Sequence, residues 1–203
     1  MTAPAGAGAP ATPLTHIRGT AELVAIADLS EEARAVLVPG AALPTQRAFV
    51  ALLMERGLHR DAVRFIAHAL PRREAVWWAW VCARKSAGET PKPAIKAALD
   101  AAERWVVQPT EDHRRQALQF GEAADFGTAA GCAALGAFMS GGSLGPPGTP
   151  VVPPGEFMTA KATSGAVTLA AVTPEPAKAP EKFEDYVKLG LEVADRTKLW
   201  PAT

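Results

Sequence analysis

The segment that most restricts the fold lies near the middle of the chain, where nine consecutive residues, 75–83, are apolar or small and include three tryptophans. Pro71 precedes this segment and Gly88 follows it, so the spacing predicts one helix over residues 72–87. Consecutive residues of a helix point about 100° apart, and the apolar side chains therefore face every direction. A helix that is apolar all round is typical of the centre of a helical bundle.

Amphipathic patterns on either side of this segment predict further helices. Leu58, Ala62, Phe65 and Ala69 follow one another at spacings of four, three and four residues, as on one face of a helix. Gly57 alone separates this pattern from the apolar positions before it, which predicts an antiparallel pair of helices. No segment has the pattern of a strand. The predicted helices cover residues 21–28, 30–38, 45–56, 58–70, 72–87, 91–108, 110–126, 128–139, 157–172 and 181–198.

These patterns predict an all-α protein, an irregular helical bundle of antiparallel hairpins. A solenoid is the alternative, although no spacing recurs with a fixed period. The expected organisation is a disordered tail over residues 1–13, a helical domain over 14–139, a loop over 140–155, and C-terminal helices over 156–203 that pack on the same domain. Five prolines and five glycines exclude regular structure from the loop.

The helix predicted over residues 128–139 consists largely of alanine and glycine. Glycine inside a helix costs about 1 kcal/mol relative to alanine, while small side chains let two helix backbones approach closely. We therefore expect crowded contacts at Gly131 and Gly136. Packing of the small-residue helices between copies of the chain, in a homo-oligomer, is a further option.

The charge balance limits the classes of partner. Lys and Arg number 21, as do Asp and Glu, so the formal net charge is +0, and the basic stripe of a nucleic-acid-binding protein is missing. No apolar run reaches the roughly 18 residues that a membrane span needs, and residues 1–13 lack the features of a secretory signal. We therefore expect a cytoplasmic protein. Cys82 and Cys132 are expected as buried reduced thiols, with a disulfide as the alternative.

Recognisable catalytic and metal-binding motifs are missing from the sequence. His59 and His68 are nine residues apart and would lie on opposite faces of one helix. The sequence contains neither an HExxH nor a Cys-x-x-Cys pair, which are the spacings of common zinc sites. It also contains no G-x-S-x-G elbow and no P-loop. We expect no catalytic residue, no metal and no cofactor, and an enzyme is the less favoured interpretation.

The start of the apolar helix is the most specific local feature. Arg72 and Arg73 are two cations at a helix N-terminus, where they oppose the helix dipole unless they are paired. We expect Glu74 or another carboxylate to pair with them. Trp77 and Trp78 fit two interpretations. They are either core residues with hydrogen-bonded indole N–H groups, or one Trp and one Arg reach an exposed groove and form a binding hot spot.

The loop over residues 140–155 also fits two interpretations. It is either a plain connector or an extended, proline-rich segment that docks on another protein. In the second case, Leu144, Val151, Val152 and Phe157 would be the apolar anchors.

Three stretches, residues 69–84, 126–154 and 157–171, resemble an uncharacterised bacterial family. The resemblance rests on a Pro-Arg-Arg-Glu-Ala-Val-Trp-Trp helix, a Gly-Thr-Ala-Ala-Gly-Cys helix and a Ser-Gly-Gly-Ser-Leu-Gly-Pro-Pro loop, and it covers roughly residues 44–200. Members of that family are often described beside type VI secretion components of proteobacteria, which implies an accessory or adaptor role and no catalytic residue. The positions that carry the resemblance are Arg73, Glu74, Trp77, Trp78, Cys132, Ser140, Gly141, Gly142, Leu144, Pro146, Pro147, Thr159 and Lys161.

We therefore predict a protein-binding accessory, adaptor or chaperone-like protein, with another protein, such as a secretion component or effector, as its partner. The alternative is a small-molecule-binding protein or an enzyme with a pocket between helices near His68, Arg73 and Glu74, with Cys132 close by. The residues predicted to form the interaction surface are Arg72, Arg73, Glu74, Trp77, Trp78, Ser140, Gly141, Gly142, Leu144, Pro146, Pro147 and Lys161.

Overall fold

Helices make up all the regular secondary structure of residues 18–200, the part of the chain that the computed structural model describes. The tail predicted over residues 1–13 lies outside these residues. One short 3₁₀ helix, Pro176–Lys178, precedes the last α-helix. The α-helices are α1 (Thr20–Ile26), α2 (Glu31–Arg34), α3 (Gln46–Glu55), α4 (His59–Ala69), α5 (Arg72–Ala87), α6 (Pro93–Val107), α7 (Glu111–Ala123), α8 (Ala129–Phe138), α9 (Met158–Val172) and α10 (Ala179–Arg196).

Side-chain caps fix the starts of four helices. The hydroxyl oxygens of Ser30, Thr45, Thr110 and Thr128 accept hydrogen bonds from the backbone N–H three residues later, at the starts of α2, α3, α7 and α8. Each cap satisfies one N–H that the helix itself leaves without a partner. The all-α prediction is confirmed. The last helix begins at Ala179 rather than at residue 181, because proline fits the first turn of a helix, where its missing N–H removes no hydrogen bond.

Helix α5 lies at the centre of the bundle, in contact with α6, α8, α9 and α10. Trp78 is fully buried on α5, and its indole N–H donates a hydrogen bond of 2.8 Å to the carbonyl of Tyr186 on α10. Trp80 is partly buried and donates to the carbonyl of Leu99 on α6 at 3.0 Å. The tryptophans therefore link the central helix to two neighbours, and Trp78 is a core residue.

Glycines mark the places where the helices approach most closely. A Cβ atom at Gly136 would lie 2.9 Å from Thr163 Cγ2 on α9, and one at Gly190 on α10 would lie 2.9 Å from Ile66 Cγ2. A Cβ at Gly131 would lie only 2.1 Å from the carbonyl oxygen of Asp125. The predicted crowding at Gly131 and Gly136 is confirmed.

The small residues of α8 are covered within a single chain. This helix packs against α5, α6, α7 and α9, and most of its residues are buried there. Contacts within one chain therefore occupy most of the surface of α8, and association of copies through the small-residue helices stays a prediction. Cys82 is buried and Cys132 half-buried, and the two thiols are free and do not form a disulfide with each other.

Replacement of Gly131 by alanine tests this packing. We expect Gly131→Ala to lower the free energy of unfolding by about 2 kcal/mol, because the backbone of residue 125 must move to admit the methyl group. Urea denaturation followed by circular dichroism measures the change. Gly141→Ala is the matched control, since a Cβ there meets no atom within 4 Å, and equal stability of the two variants would contradict the assignment.

Candidate functional site

The two arginines at the start of α5 bind the C-terminal ends of other helices. Arg72 Nη1 donates to the carbonyl of Ser140, just beyond α8, at 2.7 Å. Arg73 donates to the carbonyls of Val106 and Val107, at the end of α6, at 2.6 and 3.3 Å. The expectation that a carboxylate pairs with these arginines is therefore wrong. The last carbonyls of a helix lack partners and carry partial negative charge, so they fill the role assigned to Glu74.

A buried guanidinium holds the loop between α8 and α9 against the bundle. The Arg114 residue on α7 is only 3% exposed, and it donates to the carbonyls of Phe138 at 2.7 Å and Ser143 at 2.8 Å. It also forms a bidentate pair with Glu111, at 2.7 and 2.8 Å, and this hydrogen bonding holds the pKa of the Glu111 carboxyl below its usual value. Arg115 adds a bond of 2.9 Å to the carbonyl of Gly145.

The loop over residues 140–155 folds back on itself instead of running extended. Leu144 N donates to the carbonyl of Val152 at 2.8 Å. The Ser143 hydroxyl oxygen accepts from the backbone N–H groups of Gly145 and Val152, each at 3.1 Å. Gly142 has φ +66°, and a Cβ there would lie 2.8 Å from Arg114 Nη2. The extended conformation assumed for docking is therefore wrong, because internal hydrogen bonds and the arginines close the loop.

Large apolar side chains remain exposed around this loop. Seven such side chains are exposed among residues 18–200, and five of them lie at the ends of α6 and α9 or in the loop. We call these five the loop patch: Val107 at 71% exposure, Leu144 at 40%, Val151 at 75%, Val152 at 51% and Met158 at 37%. The patch adjoins the arginine contacts, since Arg73 binds the carbonyl of Val107.

The structure brings together only part of the predicted interaction surface. Arg72, Arg73 and the loop residues share one end of the bundle. Trp78 lies in the core, and Trp77 and Glu74 are half-buried on α5. Lys161 pairs with Asp28, Nζ to Oδ2, at 3.4 Å. The loop residues that accompany the arginines are Ser140, Gly141, Gly142, Leu144, Pro146 and Pro147.

A small cavity of about 100 Å³ opens beside the same end of α5. The predicted pocket near His68 therefore exists, but its composition differs. Arg72 lines it, whereas Arg73 and Glu74 do not, because successive residues of α5 point in different directions and Arg73 turns to α6. Cys132 is also elsewhere, with its thiol donating to the carbonyl of Phe126. The side chains with polar or aromatic groups that line the cavity are Arg18, His68, Arg72, Glu156, Phe157 and Thr159.

Two of these lining residues are buried polar groups with an atom that has no hydrogen-bond partner. His68 is 3% exposed and Thr159 is 2% exposed, and the atoms concerned are His68 Nε2 and Thr159 Oγ1. The other ring nitrogen, His68 Nδ1, lies 2.8 Å from the carbonyl of Arg64. Because a carbonyl only accepts, Nδ1 carries the proton and Nε2 is an acceptor in the neutral ring. Burial lowers the pKa of His68 and so favours the neutral form.

Thr159 was marked only by the family resemblance, and Arg18 had no signal at all in the sequence. Arg18 lies before α1, yet its guanidinium reaches Glu156 Oε1 at 3.1 Å across the bundle. A contact between residues so far apart in the chain cannot be recognised from the local spacing of residues.

Among residues 18–200, no group of three or more His, Cys, Asp or Glu side chains is arranged to hold a metal ion. Within the same range, none of the helices has the length and apolarity to cross a membrane.

Comparison with known proteins gives a family and no function. Residues 49–194 match a family model, DUF6931, which is described as a family of unknown function. No curated protein and no solved structure matches the chain. The matched region runs from α3 into α10 and contains the loop, the arginines of α5 and α7, and the whole cavity lining except Arg18.

Stability should fall on acidification because of His68. Its folded-state pKa is below the ordinary value of 6.5, so the unfolded chain takes up the proton first, and stability present above pH 6.5 is lost as the pH falls below it. Urea denaturation of the wild type and His68→Gln between pH 7.5 and 5 measures the effect. We expect the free energy of unfolding of the wild type to fall more on acidification than that of His68→Gln. A difference in free energy between the two proteins that stays constant from pH 7.5 to 5 would contradict this.

Removal of the buried guanidinium should loosen the loop. We expect Arg114→Gln to lower the free energy of unfolding by about 2 kcal/mol, because buried carbonyls lose their donors. Arg115→Gln, at a more exposed neighbouring position, should cost less than about 1 kcal/mol. Hydrogen exchange of residues 140–155 gives a second measurement. Equal protection of the loop in both variants would show that Arg114 does not hold it.

Proposed function

Because the chain belongs to DUF6931, a family of unknown function, we propose a function from its own surface, namely an accessory protein that binds another protein through the loop patch. The observation that carries this proposal is the exposure of Val151 and Val152, at 75% and 51%, on a loop that hydrogen bonds hold in place. Val151 and Val152 are adjacent, and the backbone of Leu144 is hydrogen-bonded to that of Val152. Apolar side chains that are exposed together on a protein surface are typical of interaction sites.

The hydrogen bonds from arginines to the loop favour a binding loop over a plain connector. A plain connector needs no buried arginine, whereas Arg114 and Arg115 together form hydrogen bonds to the carbonyls of Ser143 and Gly145. A loop that is ordered before it binds loses less conformational entropy on association. The side chains of the loop patch carry no charge, so the complementary surface of the partner would be apolar at its centre.

The sequence resemblance supports a more specific partner. Proteins of the family that it indicates are described beside type VI secretion components, so we propose a component or effector of that machine as the partner. An adaptor or chaperone-like role follows, in which the loop patch covers an apolar surface of the partner. The formal net charge of +0 favours a protein partner over nucleic acid.

A single charged substitution in the patch tests the proposal. We expect Val151→Asp to weaken partner binding at least tenfold, because a carboxylate would be buried in an apolar interface. Val38→Asp is the matched control, since Val38 is an exposed valine, at 65%, between α2 and α3. Affinity purification from the native host with mass spectrometry identifies the partner, and calorimetry with the purified partner measures the dissociation constant for each variant.

Two results would contradict the proposal. One is equal affinity of Val151→Asp and Val38→Asp for the purified partner. The other is self-association of the wild-type chain that Val151→Asp abolishes in light scattering, which would assign the loop patch to contacts between copies. Circular dichroism confirms that both variants are folded before the affinities are compared.

A further inference from the structure

Two residues that line the cavity beside α5 have buried polar atoms without hydrogen-bond partners. Among residues 18–200, the buried side-chain atoms without a partner are His68 Nε2 and Thr159 Oγ1, and both residues line this one cavity. Buried polar groups in native proteins nearly always have partners, and an exception requires an explanation. A volume of about 100 Å³ exceeds the roughly 10–15 Å³ that one water needs, so the cavity has room for a small polyatomic ligand.

Positively charged side chains and the first turns of two helices line the cavity. Arg18 and Arg72 line its mouth, and residues from the first turns of α5 and α9 form its wall. Neither Pro71 nor Phe157, the residues that precede these two helices, provides a side-chain cap. The first backbone N–H groups of a helix point outward without intrahelical partners, and together with the helix dipole they favour an anion.

The histidine adds a requirement that most anions do not meet. His68 Nδ1 donates to the carbonyl of Arg64, so Nε2 offers a lone pair and needs a hydrogen-bond donor. The ligand must therefore combine negative oxygens for the guanidinium groups with an O–H for Nε2. Carboxylates and sulfate have no such proton at neutral pH, whereas hydrogen phosphate keeps a P–OH. Thr159 Oγ1 accepts or donates as the ligand requires.

We infer that the cavity lined by Arg18, His68, Arg72 and Thr159 binds inorganic hydrogen phosphate. The P–OH donates to His68 Nε2, and the anionic oxygens accept from the guanidinium groups of Arg18 and Arg72 and from the Thr159 hydroxyl. This site is separate from the glycine-rich loop. The inference does not depend on the proposed protein-binding function, because none of the side chains of the loop patch lines the cavity.

The carboxylate of Glu156 partly neutralises the positive charge of Arg18 in the cavity lining. Its Oε1 lies 3.1 Å from Arg18 Nη2, and Arg18 also contacts Glu22 at 3.2 Å. Phosphate that approaches Arg18 competes with the exposed carboxylate of Glu156. Replacement of this carboxylate by an amide removes the repulsion and should strengthen binding.

A second hollow, of about 450 Å³ at the turn between α5 and α6, has no comparable feature. Its Trp80 and Arg84 donate to backbone carbonyls, and its Lys96 pairs with Asp100. Among the described residues, the buried polar atoms without partners thus belong to the smaller cavity alone.

Titration calorimetry of the full chain with sodium phosphate at pH 7 tests the inference. We expect saturable binding of one phosphate per chain, with sulfate at least tenfold weaker because it lacks the proton that Nε2 needs. A tenfold change corresponds to loss of one good hydrogen bond to a charged group. Phosphate and sulfate bound equally well, or no saturable heat with the folded wild type, would overturn the inference.

Variants then locate the site. Arg72→Gln should weaken phosphate binding at least tenfold, and Arg73→Gln, its neighbour outside the cavity lining, should change it less than twofold. Thr159→Val should weaken binding as well, and Glu156→Gln should strengthen it severalfold. Circular dichroism establishes that each variant is folded, and Arg18→Gln replaces Thr159→Val if the buried substitution unfolds the chain. Equal binding by Arg72→Gln and Arg73→Gln would overturn the site.

A phosphate monoester distinguishes free phosphate from the phosphate group of a larger molecule. Glycerol 3-phosphate at pH 7 is mostly a dianion without a P–OH, so we expect it to bind more weakly than inorganic phosphate. Tighter binding of the monoester would overturn the assignment to the free ion.

Discussion

Contacts between guanidinium groups and the carbonyl ends of helices hold one end of this bundle together. Arg72 and Arg114 bind carbonyls at and beyond the end of α8, while Arg73 binds those at the end of α6. Each contact places a full positive charge where a helix leaves carbonyls unpaired and partly negative. The start of α5 and the ends of α6 and α8 are thereby fixed against one another, and the loop patch and the cavity both depend on that arrangement.

The loop and the cavity share one arginine. Arg72 binds the carbonyl of Ser140, where the loop begins, and also lines the cavity. Arg114 holds the carbonyl of Ser143 within the loop. A ligand that binds the Arg72 guanidinium in the cavity would contact the same group that is hydrogen-bonded to the first residue of the loop.

Helix positions followed closely from the sequence because they depend on local chemistry. The caps of Ser30, Thr110 and Thr128 each join a hydroxyl to a backbone N–H only three residues later. The apolar content of α5 indicated its central place. The glycines of α8 indicated close contacts, since glycine is unfavourable in a helix unless the space is needed. These features concern residues within a few positions of one another.

The site was less predictable because its members meet across the bundle. The partners of Arg72 and Arg73 are backbone carbonyls, which every residue carries, so no side-chain pattern pointed to them. Arg18 and Glu156 are far apart in the chain yet form an ion pair at 3.1 Å. The loop was expected to be extended, because its prolines and glycines exclude helices and strands but do not reveal the arginines that fold it back.

By itself, the sequence determined the position of most helices, the central place of α5 and the close packing at the glycines of α8, since periodicity and side-chain size act over a few residues. Only the tertiary structure decided which carbonyls the arginines bind, that Trp78 is withdrawn from the surface, and that His68 and Thr159 line one cavity with Arg18 and Arg72. Those outcomes depend on how helices pack against one another, and the energy of that packing is distributed over many contacts between distant parts of the chain.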